Sequence, residues 1–144
     1  MEERIRRHRQ NRPVAWRTLE APLDLASPLK NALAAEDAPS VVLVDSIDVW
    51  VSNLLLDHED EPVPKLEALA LSHIQMLTEL MGQSQAQFFL VSSEVGFSLV
   101  SPNALGRRFQ DLLGLVNQAL AAAADTVYLV AAGLPMQLKG PDSS

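Results

Sequence analysis

Cysteine is absent from all 144 residues, which excludes disulfides, thiolate catalysis and zinc sites built on cysteine. Positive charge is also scarce. Eleven Lys and Arg stand against 18 Asp and Glu, a net charge of −7, with an isoelectric point near 4.8. No uniform field draws the chain to nucleic acid or an anionic membrane, because phosphate backbones demand concentrated Lys and Arg. No apolar run approaches the roughly 20 residues of a membrane span, and no charged segment leads into an apolar one as in a signal peptide. A cytoplasmic location is expected on that basis. Internal repeats and low-complexity tracts are missing too.

The residues present suit one compact domain. Hydrophobic content is 48% over 144 residues, long enough to bury a real core. We expect a single α/β domain over residues 1–140 and a flexible tail over 141–144, with fraying from residue 138. Residues 40–45, Ser-Val-Val-Leu-Val-Asp, form a β-branched aliphatic run that ends at an acid, the pattern of a central parallel strand. Residues 87–94 repeat that design, and residues 126–132 make a third run. Between them, Leu66, Leu69, Ile74, Leu77, Leu80 and Met81 predict a helix that Gly82 is placed to stop. Leu105, Phe109, Leu112, Leu113, Val116 and Leu120 predict another over 103–124. Strands alternating with helices imply right-handed crossovers, hence a three-layer α/β domain with a mostly parallel sheet. Residues 16–20 suggest a short strand, 22–28 a loop entering a short helix, and 57–64 a solvated acidic loop.

Ligands of open α/β sheets bind outside the carboxyl ends of the strands, which brings Asp45 and Glu94 into view. An aliphatic strand ending in Asp has the form of a Walker B segment, whose carboxylate orients magnesium near nucleotide phosphates. It also has the form of an acid that caps the next turn. Positive charge is concentrated at Arg4, Arg6, Arg7, Arg9 and Arg12 around His8, which suits an anionic small molecule. Guanidinium groups beside a histidine disfavour its protonation, so a neutral imidazole can attack phosphorus while the arginines hold phosphate oxygens. A solvated basic helix end with an incidental histidine has the same composition. His58 falls in a charged loop and His73 in a helical pattern, where surface and packing roles suffice. Gly96 follows Glu94 and permits a sharp turn or a close approach. Arg107 and Asp111 share a helix face and are spaced to pair. Asn117 interrupts an apolar helix, either as a satisfied hydrogen-bonding group or as a contact to ligand or subunit.

In order and spacing these segments resemble one family, the adenosylcobinamide kinase / adenosylcobinamide-phosphate guanylyltransferases. Arg4-Ile5, His8-Arg9, Arg12-Pro13 and Trp16-Arg17-Thr18-Leu19-Glu20 are similar to its R-I-x-x-H-[RK]-x-x-R-P-x-x-W-x-T-x-E signature. Asp45 and the Trp50-Val51-Ser52-Asn53-Leu54-Leu55 run resemble its second acid and W-V-[ST]-N-L-L ending. Ser92-Ser93-Glu94-Val95-Gly96, Leu105 through Asp111, Val116-Asn117-Gln118 and Ala132-Gly133-Leu134-Pro135 resemble its [ST]-N-E-V-G, L-[GA]-R-x-F-R-D, V-N-Q and A-G-x-P blocks.

The resemblance implies a P-loop NTPase fold of the RecA-like group and a bifunctional transferase of cobalamin assembly. It uses ATP or GTP with Mg2+ to phosphorylate adenosylcobinamide, then passes GMP from GTP to adenosylcobinamide phosphate through a guanylylated histidine. Carried over by position, His8 is the catalytic residue. Arg9, Gln10, Asn11, Glu20 and Asp45 bind nucleotide, and Asp45 serves the metal. Arg4, Arg12, Glu94, Arg107 and Asn117 are substrate-binding or structural residues. Homo-oligomers are also implied. The family opens with a strand and a G-x-x-x-S-G-K-S loop that binds triphosphate, whereas these 144 residues contain no Gly-Lys-Ser. A parallel sheet lacking that strand and helix is expected to expose apolar edges. Some relatives have two adjacent histidines where this chain has Arg7-His8, and Ser93, Ser98 and Ser101 stand where the family has Asn, Gly and Pro. The alternative to an active transferase is an inactive, truncated relative that binds nucleotide or cobinamide, or self-associates.

Overall fold

The computed structural model describes residues 13–141. The first helix of the described residues, α1 (Ala26–Leu33), starts where the Asp24 carboxylate accepts hydrogen bonds from the Ala26 and Ser27 amides, both at 3.1 Å. Strand β1 (Val41–Asp45) follows, then α2 (Ile47–Asp57). Helix α2 has buried side chains at Ile47, Trp50, Val51, Leu54 and Leu55, a stripe at helical spacing that faces the core. Pro64 sits in the first turn of α3 (Val63–Gln83), where its missing N–H costs nothing. Strand β2 (Gln87–Val91) leads through a loop to α4 (Ala104–Ala123), whose N-cap Asn103 accepts from the Gly106 amide. Strands β3 (Val127–Ala131) and β4 (Leu134–Lys139) complete the described chain.

The core lies between the helices and one face of the parallel pair. Ile47, Val51, Leu54, Leu77, Leu113 and Val116 are fully buried, and no polar or charged residue is buried among the described residues. Strands β1 and β2 run parallel with Val42 opposite Phe88 and Val44 opposite Leu90. Val42 is buried, and Val44 and Leu90 pack against the helical core. The alternate residues Val41, Leu43, Phe89 and Val91 remain 42% to 51% exposed. Period-two alternation places them on the opposite face, which no described element covers.

Several expectations change here. Residues 126–132 do form a strand, but β3 pairs antiparallel with β4 rather than joining the parallel sheet, so the described residues hold a two-stranded parallel sheet and a separate hairpin. The reason is local. Ala132 and Gly133 form a two-residue turn with φ of 52° and 77°, the geometry that folds a strand directly back on itself. The stretch from residue 138 is not frayed at its start, because Leu138 and Lys139 belong to β4. The Lys139 ammonium donates to the Ala121 and Ala122 carbonyls at 3.0 and 2.9 Å, satisfying the end of α4. Helix α3 continues through Gly82 to Gln83, and residues 16–20 form no strand. Of the expected three layers the described residues build two.

The mixed helix and strand order with its small parallel sheet is an α/β architecture. No helix of the described residues is long and apolar enough to cross a membrane.

Candidate functional site

Asp45 closes β1 opposite Val91, the last residue of β2, so the two strands deliver Asp45 and residues 92–94 to one edge. Both Asp45 and Glu94 are exposed there. Hydrogen bonds make the edge a defined surface. Ser93 Oγ donates to the Asp48 carboxylate at 3.0 Å, joining β2 to the first turn of α2. Ser92 Oγ donates to Asn117 Oδ1 at 2.7 Å, while Asn117 Nδ2 donates to the Ser93 carbonyl at 2.9 Å. Asn117 thereby uses both ends of its amide on the β2 terminus, which explains a polar residue in an apolar helix. The Glu94 carboxylate accepts from the Gly96 amide. A Cβ at Gly96 would meet Glu94 Oε1 at 2.7 Å, so a larger residue there would push the glutamate side chain off this amide.

The loop beyond Glu94 is held by α4. Gln110 Nε2 donates to Ser98 Oγ at 2.8 Å and to the Leu99 carbonyl at 3.1 Å, and Gln110 Oε1 accepts from the Ser101 amide at 2.9 Å. Arg107 donates to the carbonyls of Ser101 and Pro102 at 3.1 and 3.0 Å. This replaces the expected pairing with Asp111, because the guanidinium reaches the loop carbonyls preceding its own helix. Arg108 performs a similar task for the acidic loop 58–62, donating to the Glu59 and Glu61 carbonyls at 2.6 and 2.8 Å.

The Trp50 and Asn53 side chains, one turn apart on α2, receive the entering chain. Trp50 Nε1 donates to the Leu23 carbonyl at 2.8 Å, and Asn53 Nδ2 to that of Pro22 at 3.3 Å. His73 stands edge-on to Trp50, with ring centroids 5.9 Å apart, a packing role. His58 Nδ1 lies 3.1 Å from the Leu54 carbonyl and 3.4 Å from Asp57, in a surface role.

Glu20 is exposed in the irregular segment before α1. Arg4, His8, Arg9, Gln10, Asn11 and Arg12 lie outside the described residues. Asp45, Glu94 and Asn117 share the strand-end edge. Arg107 anchors the far side of its loop. Sequence reasoning missed Asp48 and Gln110. Asp48 is the second residue of α2, three residues after the strand-ending acid, so the helix starts with it at the same edge. Gln110 carries no signal of its own, since its partners are set by how the loop closes. Among the described residues no three acidic or histidine side chains converge as a metal-binding group.

Two parallel strands packed on one face by helices, with acids at their carboxyl ends, are the arrangement of an α/β domain, a class in which ligands commonly bind outside that edge. Over residues 1–138 the chain matches the model of a family described as cobinamide kinase / cobinamide phosphate guanyltransferase, and it belongs to that family. It is 39% identical over 140 residues to the bifunctional adenosylcobalamin biosynthesis protein CobP of Pseudomonas aeruginosa, covering 97% of this chain and 75% of that one. With the bifunctional adenosylcobalamin biosynthesis protein CobU of Salmonella typhimurium it shares 38% identity over 145 residues, 96% of this chain and 78% of the relative. CobU of Escherichia coli K12 is 36% identical over 146 residues, again 96% and 78% of the two chains.

Proposed function

We propose that the chain acts as a cobalamin-biosynthesis transferase that phosphorylates adenosylcobinamide and transfers GMP from GTP to adenosylcobinamide phosphate. The observation that carries this reading is the family match over residues 1–138, joined to an acid-bearing strand edge of the kind that receives nucleotides. In the guanylyl step the His8 imidazole attacks the α-phosphorus of GTP. A P–N bond forms, the bond to the β-phosphate oxygen breaks, and pyrophosphate leaves. A phosphate oxygen of adenosylcobinamide phosphate then attacks the same phosphorus, the P–N bond breaks, and the histidine returns to its starting state. Arg9, Gln10, Asn11 and Glu20 contact the nucleotide, with Arg4 and Arg12 neutralising phosphate charge.

Asp45 fits Mg2+ as a single exposed carboxylate at a strand end, since Mg2+ takes one or two carboxylates and fills its remaining positions with phosphate oxygens and water. The ion would neutralise phosphate charge there. Glu94 and Asn117 keep the β2 terminus in shape beside it. The parallel β1–β2 pair and its terminal acid support a P-loop NTPase fold of the RecA-like group, in one domain over residues 1–140. The uncovered apolar face supports self-association.

The test is incubation with α-labelled GTP and Mg2+ of the chain and of His8→Ala. Acid-labile, base-stable label on the wild type and none on the variant is the expected result. No label on folded wild-type protein would replace this reading by that of a non-catalytic relative.

A further inference from the structure

Residues 95–103 present large apolar side chains to water on a rigid frame. Phe97, Leu99 and Val100 are 86%, 93% and 77% exposed. A loose loop with these residues gains by folding them onto the nearest core. Here Gln110 fastens Ser98, Leu99 and Ser101, Arg107 fastens Ser101 and Pro102, and the Ser98 amide and hydroxyl both bond to the Val95 carbonyl, at 3.1 and 2.6 Å. Gly106 completes the seat, since a Cβ there would collide with the Ser101 side chain. Exposed apolar groups held out by polar ties have met much of their ordering cost before any ligand arrives, the condition for a recognition surface.

The loop's position names its ligand. It springs from Glu94 at the carboxyl edge that also carries Asp45 and Asp48. Resting on the functional reading above, we infer that Phe97, Leu99 and Val100 form the platform on which the corrin macrocycle of adenosylcobinamide lies. A corrin offers broad apolar faces with an amide rim. Cobalt(III) bound to a monoanionic corrin and a carbanionic adenosyl group leaves one net positive charge, which complements the acidic edge beside the platform. A second copy of this chain is a poorer occupant of this loop, because pairing loop with loop would bring two acidic edges, each with Asp45 and Asp48, against one another.

Equilibrium dialysis of adenosylcobinamide in the dark, read by corrin absorbance, tests this on the wild type and on a Phe97→Ser/Leu99→Ser double variant. Both replaced side chains are exposed, so the circular dichroism spectrum should be unchanged. The expected result is cobinamide binding weakened about tenfold or more, the scale of losing two apolar contacts, with binding of GTP and Mg2+ retained. Gln110→Ala, which leaves the apolar groups in place but releases their frame, should weaken binding by a smaller factor. Equal cobinamide binding by wild type and double variant overturns the proposal. So does a wild-type oligomer that the double variant dissolves without change in cobinamide affinity, which would assign the loop to a second copy. Wild type that binds GTP but not cobinamide defeats this inference alone, whereas failure to bind either ligand defeats the transferase reading with it.

Discussion

The parallel pair β1–β2 and the hairpin β3–β4 are built from strands of similar length, five or six residues, yet they are stabilised differently. In the parallel pair one face meets the helices and Val42, Val44 and Leu90 join the core. Every residue of β4 is exposed, and Tyr128 and Val130 of β3 are as well. Order in the hairpin comes from its short turn, its backbone ladder and the tie from Lys139 to α4. The difference teaches that an aliphatic strand gains hydrophobic stability only where another element covers it.

The sharpest way to break this comparison is to cut a leucine from a covered position and another from an uncovered strand face. Leu113→Ala, at a fully buried site, should cost about 2 to 5 kcal/mol in chemical denaturation. Leu43→Ser on the uncovered face should change stability by no more than about 0.5 kcal/mol. A much larger loss at Leu43 would show that this face is covered in solution.

Arg108→Ala tests whether loops on the helical side depend on polar anchors as the hairpin does. Losing two charge-assisted bonds to the 58–62 loop should cost about 2 kcal/mol by urea titration. Faster proteolysis within that loop should accompany it.

Asp24→Asn addresses the start of α1. Hydrogen bonding from Ser27, side chain and backbone, and from the Ala26 amide holds the Asp24 carboxyl below its ordinary value of 3.8. A depressed folded pKa gives stabilisation that is fully present above the unfolded value and fades as pH falls through the folded one. The variant should therefore be less stable at neutral pH by up to about 1 kcal/mol, the upper end for a surface charge at a helix N-terminus. That gap should close below about pH 4. A gap that persists at pH 2 would remove the carboxylate from the explanation.

The smallest effect is expected in the hairpin turn. Ala132 has φ of 52°, where a Cβ is strained, so Ala132→Gly should stabilise by about 0.5 kcal/mol after the added chain entropy of glycine is subtracted. Thermal unfolding measures it.

Much of the fold was legible in particular residues. The aliphatic run ending at Asp45 gave β1 to within one residue, and the three- and four-residue spacing from Leu105 to Leu120 gave α4 nearly to its ends. Helix α2 was not read as a helix, because the exposed Val49 and Leu56 add apolar residues outside its buried stripe and blur the period. Strand β4 was missed since Pro135 argues against a central strand, whereas its place in a two-stranded hairpin tolerates it. Gly82 looked like a stop, but the helix extends to Gln83. Asp45, Glu94 and Asn117 were legible as chemistry. Their hydrogen-bonded neighbours were not, because Ser93 and Asp48 are 45 residues apart and meet only through the parallel register.

The amino-acid sequence by itself determined the family, the α/β alternation and the strand-end acids, since these rest on residue type and local spacing. Only the tertiary structure decided which strands pair, which sheet face stays bare and that Gln110 and Arg107 hold an apolar loop away from the core. Those outcomes depend on contacts between distant segments, whose free energy exists only once the chain has closed around them.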